Sequence, residues 1–142
     1  LDLQYKIDYI SGSSDSHTSA YDTATERAGV CRDFAHLGIA FCRALTIPAR
    51  FVSAYAWQLK PPDFPACFEA YLGNQWYLFD ATRLAPTDGL VRIATGRDAA
   101  DVAFATVFGA VQLNKMNVYI ENIGDRQEAS NPESTAYANI ST

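Results

Sequence analysis

The chain's 142 residues, 49% hydrophobic and 13% aromatic, hold enough apolar material for one compact domain with a real core. A formal net charge of −5, a pI near 4.8 and the lack of a basic stripe exclude nucleic acid and anionic membrane as main partners, because phosphate binding needs clustered Lys and Arg. No apolar run approaches the roughly 18 residues needed to span a bilayer, and no charged-then-apolar leader opens the chain, so a soluble, cytoplasmic domain is expected.

Residues 1–10, LDLQYKIDYI, alternate apolar positions as a strand does, although Tyr5, Tyr9 and Ile10 also suit a short helix. Residues 11–29 are rich in Ser, Thr, Asp and Gly and read as a surface loop with a helical turn near Ala20 to Glu26. From Val30 to Leu45 the apolar residues recur at helical spacing and crowd nearly every side, which predicts a buried helix. Asp33 falls in its first turn, where the macrodipole favours a negative charge, and Pro48 blocks its continuation, so Cys31 sits at the helix N-terminus.

Residues 49–57 form a β-prone run, and Lys60-Pro61-Pro62 breaks the chain before a hairpin at 63–83, DFPACFEAYLGNQWYLFDATR. PTDG at 86–89 is a turn, LVRI a short strand, 96–111 a helix starting near Asp98, and 116–123 a strand. The expected division is one domain over 1–123 followed by a polar tail over 124–142. A start without Met and a polar end suit a piece of a longer protein.

Gly73-Asn74 is a two-residue loop of the kind that adopts a primed turn, and it fixes the hairpin register. Leu72 then faces Gln75, Glu69 faces Leu78, Cys67 faces Asp80, and Pro65 faces Thr82. One face carries Pro65, Cys67, Glu69, Tyr71, Trp76, Leu78, Asp80 and Thr82; the other, nearly all apolar, is expected to pack on the core, which leaves the first for chemistry. Position 65 is the diagonal neighbour of Asp80, and such side chains lie roughly 7 Å apart, near enough for an imidazole at 65 to reach the carboxylate. Proline stands there instead.

Cys31, Cys42 and Cys67 are odd in number and lack CxxC spacing, so neither a disulfide framework nor a zinc site is expected. His17 and His36 are too far apart and too poorly supported by carboxylates for a metal centre. No metal and no cofactor are assigned. Cys42 reads as a core residue. Cys67 reads as a packing thiol, with a Cys31 to Cys67 disulfide or redox role as the alternative. Arg32 and Arg83 read as surface or ion-pair residues, and Trp57 and Trp76 as core or groove walls.

Three blocks, GVCRDFAHLGIAFCRALTIPARFVSAY, DFPACFEAYLGNQWYLFDATRLAP and RIATGRDAADVAFATVFGAV, resemble the bacterial transglutaminase-like superfamily, whose core is of the papain-like cysteine-protease type. The resemblance runs from about Ala20 to Val118. It implies an α+β fold in which a buried helix bearing the nucleophile packs on an antiparallel sheet. In that family a Cys opens the helix, a His begins a strand and an Asp lies on the next. Carried over residue by residue, Cys31 matches the nucleophile, Asp80 the orienting acid, and Pro65 the seat of the histidine. The spacings, 34 residues from Cys31 to Pro65 and 15 from Pro65 to Asp80, fit the family, so the proline is a substitution in register.

The resemblance implies a thiolate attacking a Gln side-chain or main-chain amide of a peptide or protein, giving a thioester that water or an amine resolves. The helix N-terminus is expected to lower the Cys31 pKa, and the Cys31 N–H to contribute to an oxyanion hole. Proton delivery to the leaving amine is what a proline at 65 removes, a contribution of about 10²- to 10⁴-fold in rate. Glu69 lies one residue pair too far toward the turn to replace it, His36 is about 140° around the helix from Cys31, and the loop geometry leaves His17 open. Three readings follow: an impaired amide hydrolase or acyltransferase, a pseudo-enzyme that binds peptides or serves as a scaffold, or a natural protein with His at 65 and a proline of artificial origin.

Overall fold

The computed structural model describes residues 6–60, 63–106, 108–112 and 114–122, together with the backbone of 136–137. Two helices and seven strands follow in the order β1 (Asp8–Tyr9), α1 (Ala20–Glu26), β2 (Ala28–Gly29), α2 (Cys31–Ala44), β3 (Ala49–Ala56), β4 (Ala66–Leu72), β5 (Gln75–Phe79), β6 (Leu90–Gly96) and β7 (Ala136–Tyr137). Five strands form one antiparallel sheet in the order β6-β3-β4-β5-β7, and β1 pairs with β2 in parallel as a separate ribbon. The architecture is the α+β arrangement of a helix packed on an antiparallel sheet.

Local chemistry explains where the helices start. Ser19 caps α1: its hydroxyl accepts from the Asp22 N–H at 3.2 Å, while the Asp22 carboxylate accepts from the Ser19 N–H at 2.9 Å. At α2 the Asp33 carboxylate reaches back to accept from the Val30 N–H at 2.8 Å. Asp33 is fully buried, and the Ser14 hydroxyl and the Arg32 guanidinium, whose Nε lies 3.4 Å away, also hold it. These bonds fix the first turn of α2 and so fix Cys31.

Helix α2 lies across β3 and β4. Ala35 and Ile39 pack against Ala49, Phe51, Ala66, Phe68 and Val102, with Cys31, Cys42, Phe79 and Ala81 at the margin. Gly38 allows the close approach, since a Cβ there would stand 2.5 Å from Phe68 Cε1. The expectation of a helix apolar and buried on nearly all sides is corrected toward its end: the buried positions stop at Ile39, and Phe41 and the C-cap Leu45 are exposed.

The hairpin has the predicted register, with Leu72 opposite Gln75 and Glu69 opposite Leu78. Gly73 and Asn74 both take positive φ, +54° and +68°, as a type I′ turn requires. Pairing runs only to Phe68 and Phe79, so Cys67 and Asp80 are not ladder partners.

Half of the hairpin face assigned to chemistry, Pro65, Cys67, Glu69 and Leu78, is buried, which narrows that expectation to the open end of the ribbon. Cys67 is 0% and Glu69 1% exposed, and Val52, Cys67 and Leu78 cluster with Leu90 at their edge. A carboxylate is tolerated there because two guanidiniums meet it, Arg50 Nε at 2.6 Å and Arg92 Nη1 at 2.7 Å, with Arg50 also 4.1 Å over the Trp76 ring.

Several other expectations change. Of the expected opening strand, Asp8–Tyr9 is a strand, and residues 1–5 lie outside the described residues. Among the described residues of the helix predicted over 96–111, a single 3₁₀ turn forms, Ala99–Val102, where the Asp98 carboxylate accepts from the Ala100 N–H at 2.9 Å and the chain leaves helical geometry at Ala103. No strand forms over 116–122 among the described residues; Val118 is buried there while Tyr119 is exposed, and 123 lies outside the described residues. In the polar tail, Ala136–Tyr137 pairs with β5 at Leu78 and Tyr77, while 123–135 and 138–142 lie outside the described residues.

Candidate active site at the head of helix α2

Cys31 occupies the first position of α2, and its thiol rests at the open end of the hairpin, where the backbone N–H groups of Ala66 and Arg32 bear on the sulfur. Ala66 follows Pro65 directly, so the thiol stands beside the residue in the histidine seat. Pro65 is buried, and its carbonyl accepts from the Ala54 N–H at 3.2 Å. The site therefore forms at the end of the ribbon, where α2, the start of β4 and the end of β5 meet.

Asp80 belongs to the same end, and its charge is felt by both Cys31 and Cys67. With proline at 65 its carboxylate is held by its own loop: Oδ1 accepts from the Thr82 N–H at 2.9 Å and the Thr82 hydroxyl at 2.6 Å, and Oδ2 lies 3.4 Å from the Ala85 N–H. Asp63, two residues before the proline and exposed, also bears on Cys31.

The electrostatics reverse one expectation. Burial pushes the Cys31 thiol up from its ordinary value, and the Asp63 and Asp80 carboxylates add to the rise. The Ala66 and Arg32 N–H groups pull the other way and do not prevail. A helix N-terminus contributes only partial charge. Two full negative charges and a dry setting outweigh it.

Neither histidine reaches the thiol. His36 packs its ring on Phe51, centroids 5.1 Å apart, and its Nε2 accepts from the Ala99 N–H at 3.1 Å, which makes it a neutral ring clamping the 3₁₀ turn. Burial lowers its pKa, in keeping with that role. His17 lines a separate cleft with Gly12, Asp15, Asp22 and Glu26, and its backbone N–H donates to the Asp15 carboxylate at 2.7 Å.

Cys31, Cys42 and Cys67 are all free thiols. Cys67 points into the Val52 and Leu78 layer on the sheet face away from α2, where burial drives its thiol well up, and this placement suits a packing thiol. Among the described residues no three His, Cys, Asp or Glu side chains converge as a metal site requires.

One neighbour of Cys31 escaped the reading from sequence. Tyr9 pairs in β1 with Gly29, two residues before the cysteine, and its ring leans on Phe34 of α2 at a centroid distance of 6.1 Å. Its phenol lies within electrostatic reach of Cys31. Partial burial and the neighbouring thiol raise the phenol pKa, and Asp63 adds to the rise. The only signal in the sequence was Tyr9's place in the alternating stretch 1–10; its contact depends on a parallel pairing across the loop.

The chain matches the transglutaminase-like superfamily over residues 2–81, more than half its length. It belongs to the transglutaminase-like superfamily. Over 106 residues, 69% of this chain and 38% of the relative, it is 32% identical to the uncharacterized protein ML0607 of Mycobacterium leprae. A crystal structure of a "putative cysteine protease" from Cytophaga hutchinsonii superposes with a TM-score of 0.74 at 68% identity, covering 76% of this chain and 37% of that one. The chain thus spans under two-fifths of either relative. No helix among the described residues is long and apolar enough to cross a membrane.

Proposed function

We propose that this domain is a cysteine-dependent acyl-transfer module, an amide hydrolase or acyltransferase of the protease and transglutaminase type, with Cys31 as nucleophile and turnover reduced by proline at the histidine seat. One observation carries the reading: Cys31 heads α2 and packs against the cluster that holds Ala66, the residue after position 65, within the field of Asp80. The superfamily membership and the protease-like neighbour support it. The substrate class is a peptide or protein presenting a Gln side chain or a backbone amide. Three free thiols suit a reducing compartment, so the cytoplasm is the location this reading assigns.

Activated acyl esters test it, because their leaving groups need no proton. The full chain treated with p-nitrophenyl acetate is expected to gain one acetyl group on Cys31, by peptide mapping and mass spectrometry, at a rate that climbs with pH. Acylation confined to other residues, or unchanged in Cys31→Ala, would end this reading.

The raised Cys31 pKa favours a second reading, a pseudo-enzyme that keeps the cleft to bind a peptide or act as a scaffold. It predicts that Cys31→Ala leaves partner binding intact. Loss of binding in a folded Cys31→Ala protein would count against it.

A further inference from the structure

A cleft of about 610 Å³ opens between α2, residues 16–20 leading into α1, and the 3₁₀ turn at Ala99–Val102, and neither Cys31, Pro65 nor Asp80 lines it. That is room for a small molecule or the end of a peptide. Arg32, His36, Ile39, Ala40 and Arg43 recur at helical spacing, so one stripe of α2 forms its wall, and Ala99 and Ala100 extend the apolar part of the lining. Three guanidiniums, Arg32, Arg43 and Arg97, line it against one carboxylate, Asp98, in a chain of net charge −5. Two of the three are neutralised: Arg32 Nε lies 3.4 Å from buried Asp33, and Arg97 donates to Asp101 at 2.9 and 3.1 Å. Arg43 differs. Its Nη2 donates to the Ala49 carbonyl at 3.1 Å and the Arg97 carbonyl at 2.7 Å, which fixes the guanidinium, yet among the described residues no carboxylate pairs with it. Its Nε–H and Nη1–H donors are left for a ligand. His36 adds another donor: Nε2 accepts from the Ala99 N–H at 3.1 Å, so the neutral ring carries its proton on Nδ1, with no acceptor among the described residues.

We propose that this cleft is a second binding site, for a monocarboxylate with an apolar body, whose carboxylate accepts from Arg43 while its body lies against Ile39, Ala40 and Ala99. A free organic acid and the C-terminus of an apolar peptide share that chemistry. One negative charge suits the lining better than two, because Asp98 repels a dianion such as phosphate at short range. The net charge of the chain turns polyanions away at longer range. Burial of an apolar body supplies the attraction that a single, partly hydrated ion pair lacks. The site is independent of the acyl-transfer reading and stands whatever Cys31 turns over.

The test is an NMR titration of the full chain with hippurate, with its neutral match hippuramide, with acetyl-Gly-Ala-Phe bearing a free C-terminus, and with inorganic phosphate. Hippurate is expected to give saturable shifts at the backbone amides of Ile39, Ala40, Ala99 and Ala100 and none at Cys31 or Ala66, with a Kd on the order of 1 mM. Hippuramide is expected to bind about 10-fold more weakly, and Arg43→Gln to weaken hippurate by about the same factor. Ala40→Leu keeps every charge and crowds the apolar side, and a loss of about 10-fold is expected there too, so a poorly folded Arg43→Gln would not leave the question open. Tighter binding of the peptide than of hippurate identifies a chain terminus as the occupant, and the reverse a free acid. The proposal is overturned by a titration without saturable shifts at the cleft, or by hippuramide binding as tightly as hippurate. Tighter binding of phosphate than of hippurate also overturns it, as does either folded variant binding hippurate as the unmodified chain does.

Discussion

Replacing Pro65 with His tests whether the hairpin and α2 build one site. The proline carbonyl that accepts from Ala54 is kept, and the substitution adds an N–H, so the backbone cost is the proline's restriction of the unfolded chain, about 0.4–1 kcal/mol. An imidazolium about 4 Å from the Cys31 sulfur interacts with a thiolate by about 4 kcal/mol at an effective dielectric of about 20, or about 3 pK units. Asp80 Oδ2, with only a 3.4 Å contact to Ala85, has acceptor capacity left for the second ring nitrogen. The assay is the pH dependence of Cys31 alkylation by iodoacetamide, followed residue by residue with mass spectrometry and paired with a thermal melt. In the unmodified chain the rate is expected to keep rising above the ordinary thiol range, about pH 8.5. In Pro65→His it is expected to level off below pH 7, with amide turnover rising about 10²- to 10⁴-fold. A folded Pro65→His protein with an unaltered alkylation profile would refute the placement of position 65 beside the thiol.

Asp80→Asn in the unmodified chain is expected to lower the Cys31 alkylation midpoint, since Asp80 acts on the thiol directly, whereas in Pro65→His the same change should raise it; opposite shifts in the two backgrounds are the readout. Glu69→Ala leaves two part-buried guanidiniums without their carboxylate and is expected to cost about 3 kcal/mol in urea unfolding, more than an exposed ion pair is worth. Gly38→Ala forces a methyl into the Phe68 ring and is expected to cost about 1–3 kcal/mol, recovered in part by Phe68→Leu. His36 has a depressed folded pKa, so the unfolded chain binds its proton first: stability is expected to fall as pH drops through and below about 6.5, and His36→Gln, which can still accept from Ala99, should flatten that dependence in melts across pH.

What the sequence made legible follows from how local each signal was. The Gly73-Asn74 turn sets a register with no outside help, and the pairs Leu72 with Gln75 and Glu69 with Leu78 formed as the turn dictates. Ser19 with Asp22, and Asp33 with the Val30 N–H, are likewise decided within four residues. The failures are segments whose fate lies with a distant partner. Residues 96–111 have helical composition, yet among the described residues only one 3₁₀ turn forms, and just past its end Phe104 stacks on Phe64, forty positions earlier, at a centroid distance of 5.3 Å. The hairpin's two faces looked unequal, one mixed and one apolar. Nothing local showed that Arg50 and Arg92 would neutralise Glu69 and let half of the mixed face be buried as well.

At the site the sequence disclosed the residue types but not the sign of the field acting on them. A cysteine at a helix head reads as activated, because a partial positive charge from the N-terminus is the one feature visible along the chain. In a Cys-His-Asp arrangement the acid faces an imidazole, and its charge reaches the sulfur through a cation that favours the thiolate. With proline between them that intermediary is gone. Burial first, and then the Asp63 and Asp80 carboxylates acting on the thiol itself, push its pKa up. Exchanging one residue therefore does more than delete a proton carrier; it inverts the effect of the acid that remains. A thiol kept neutral is a weaker nucleophile than the thiolate, so an imidazole at position 65 is expected to restore the favourable charge beside the sulfur as well as the proton carrier.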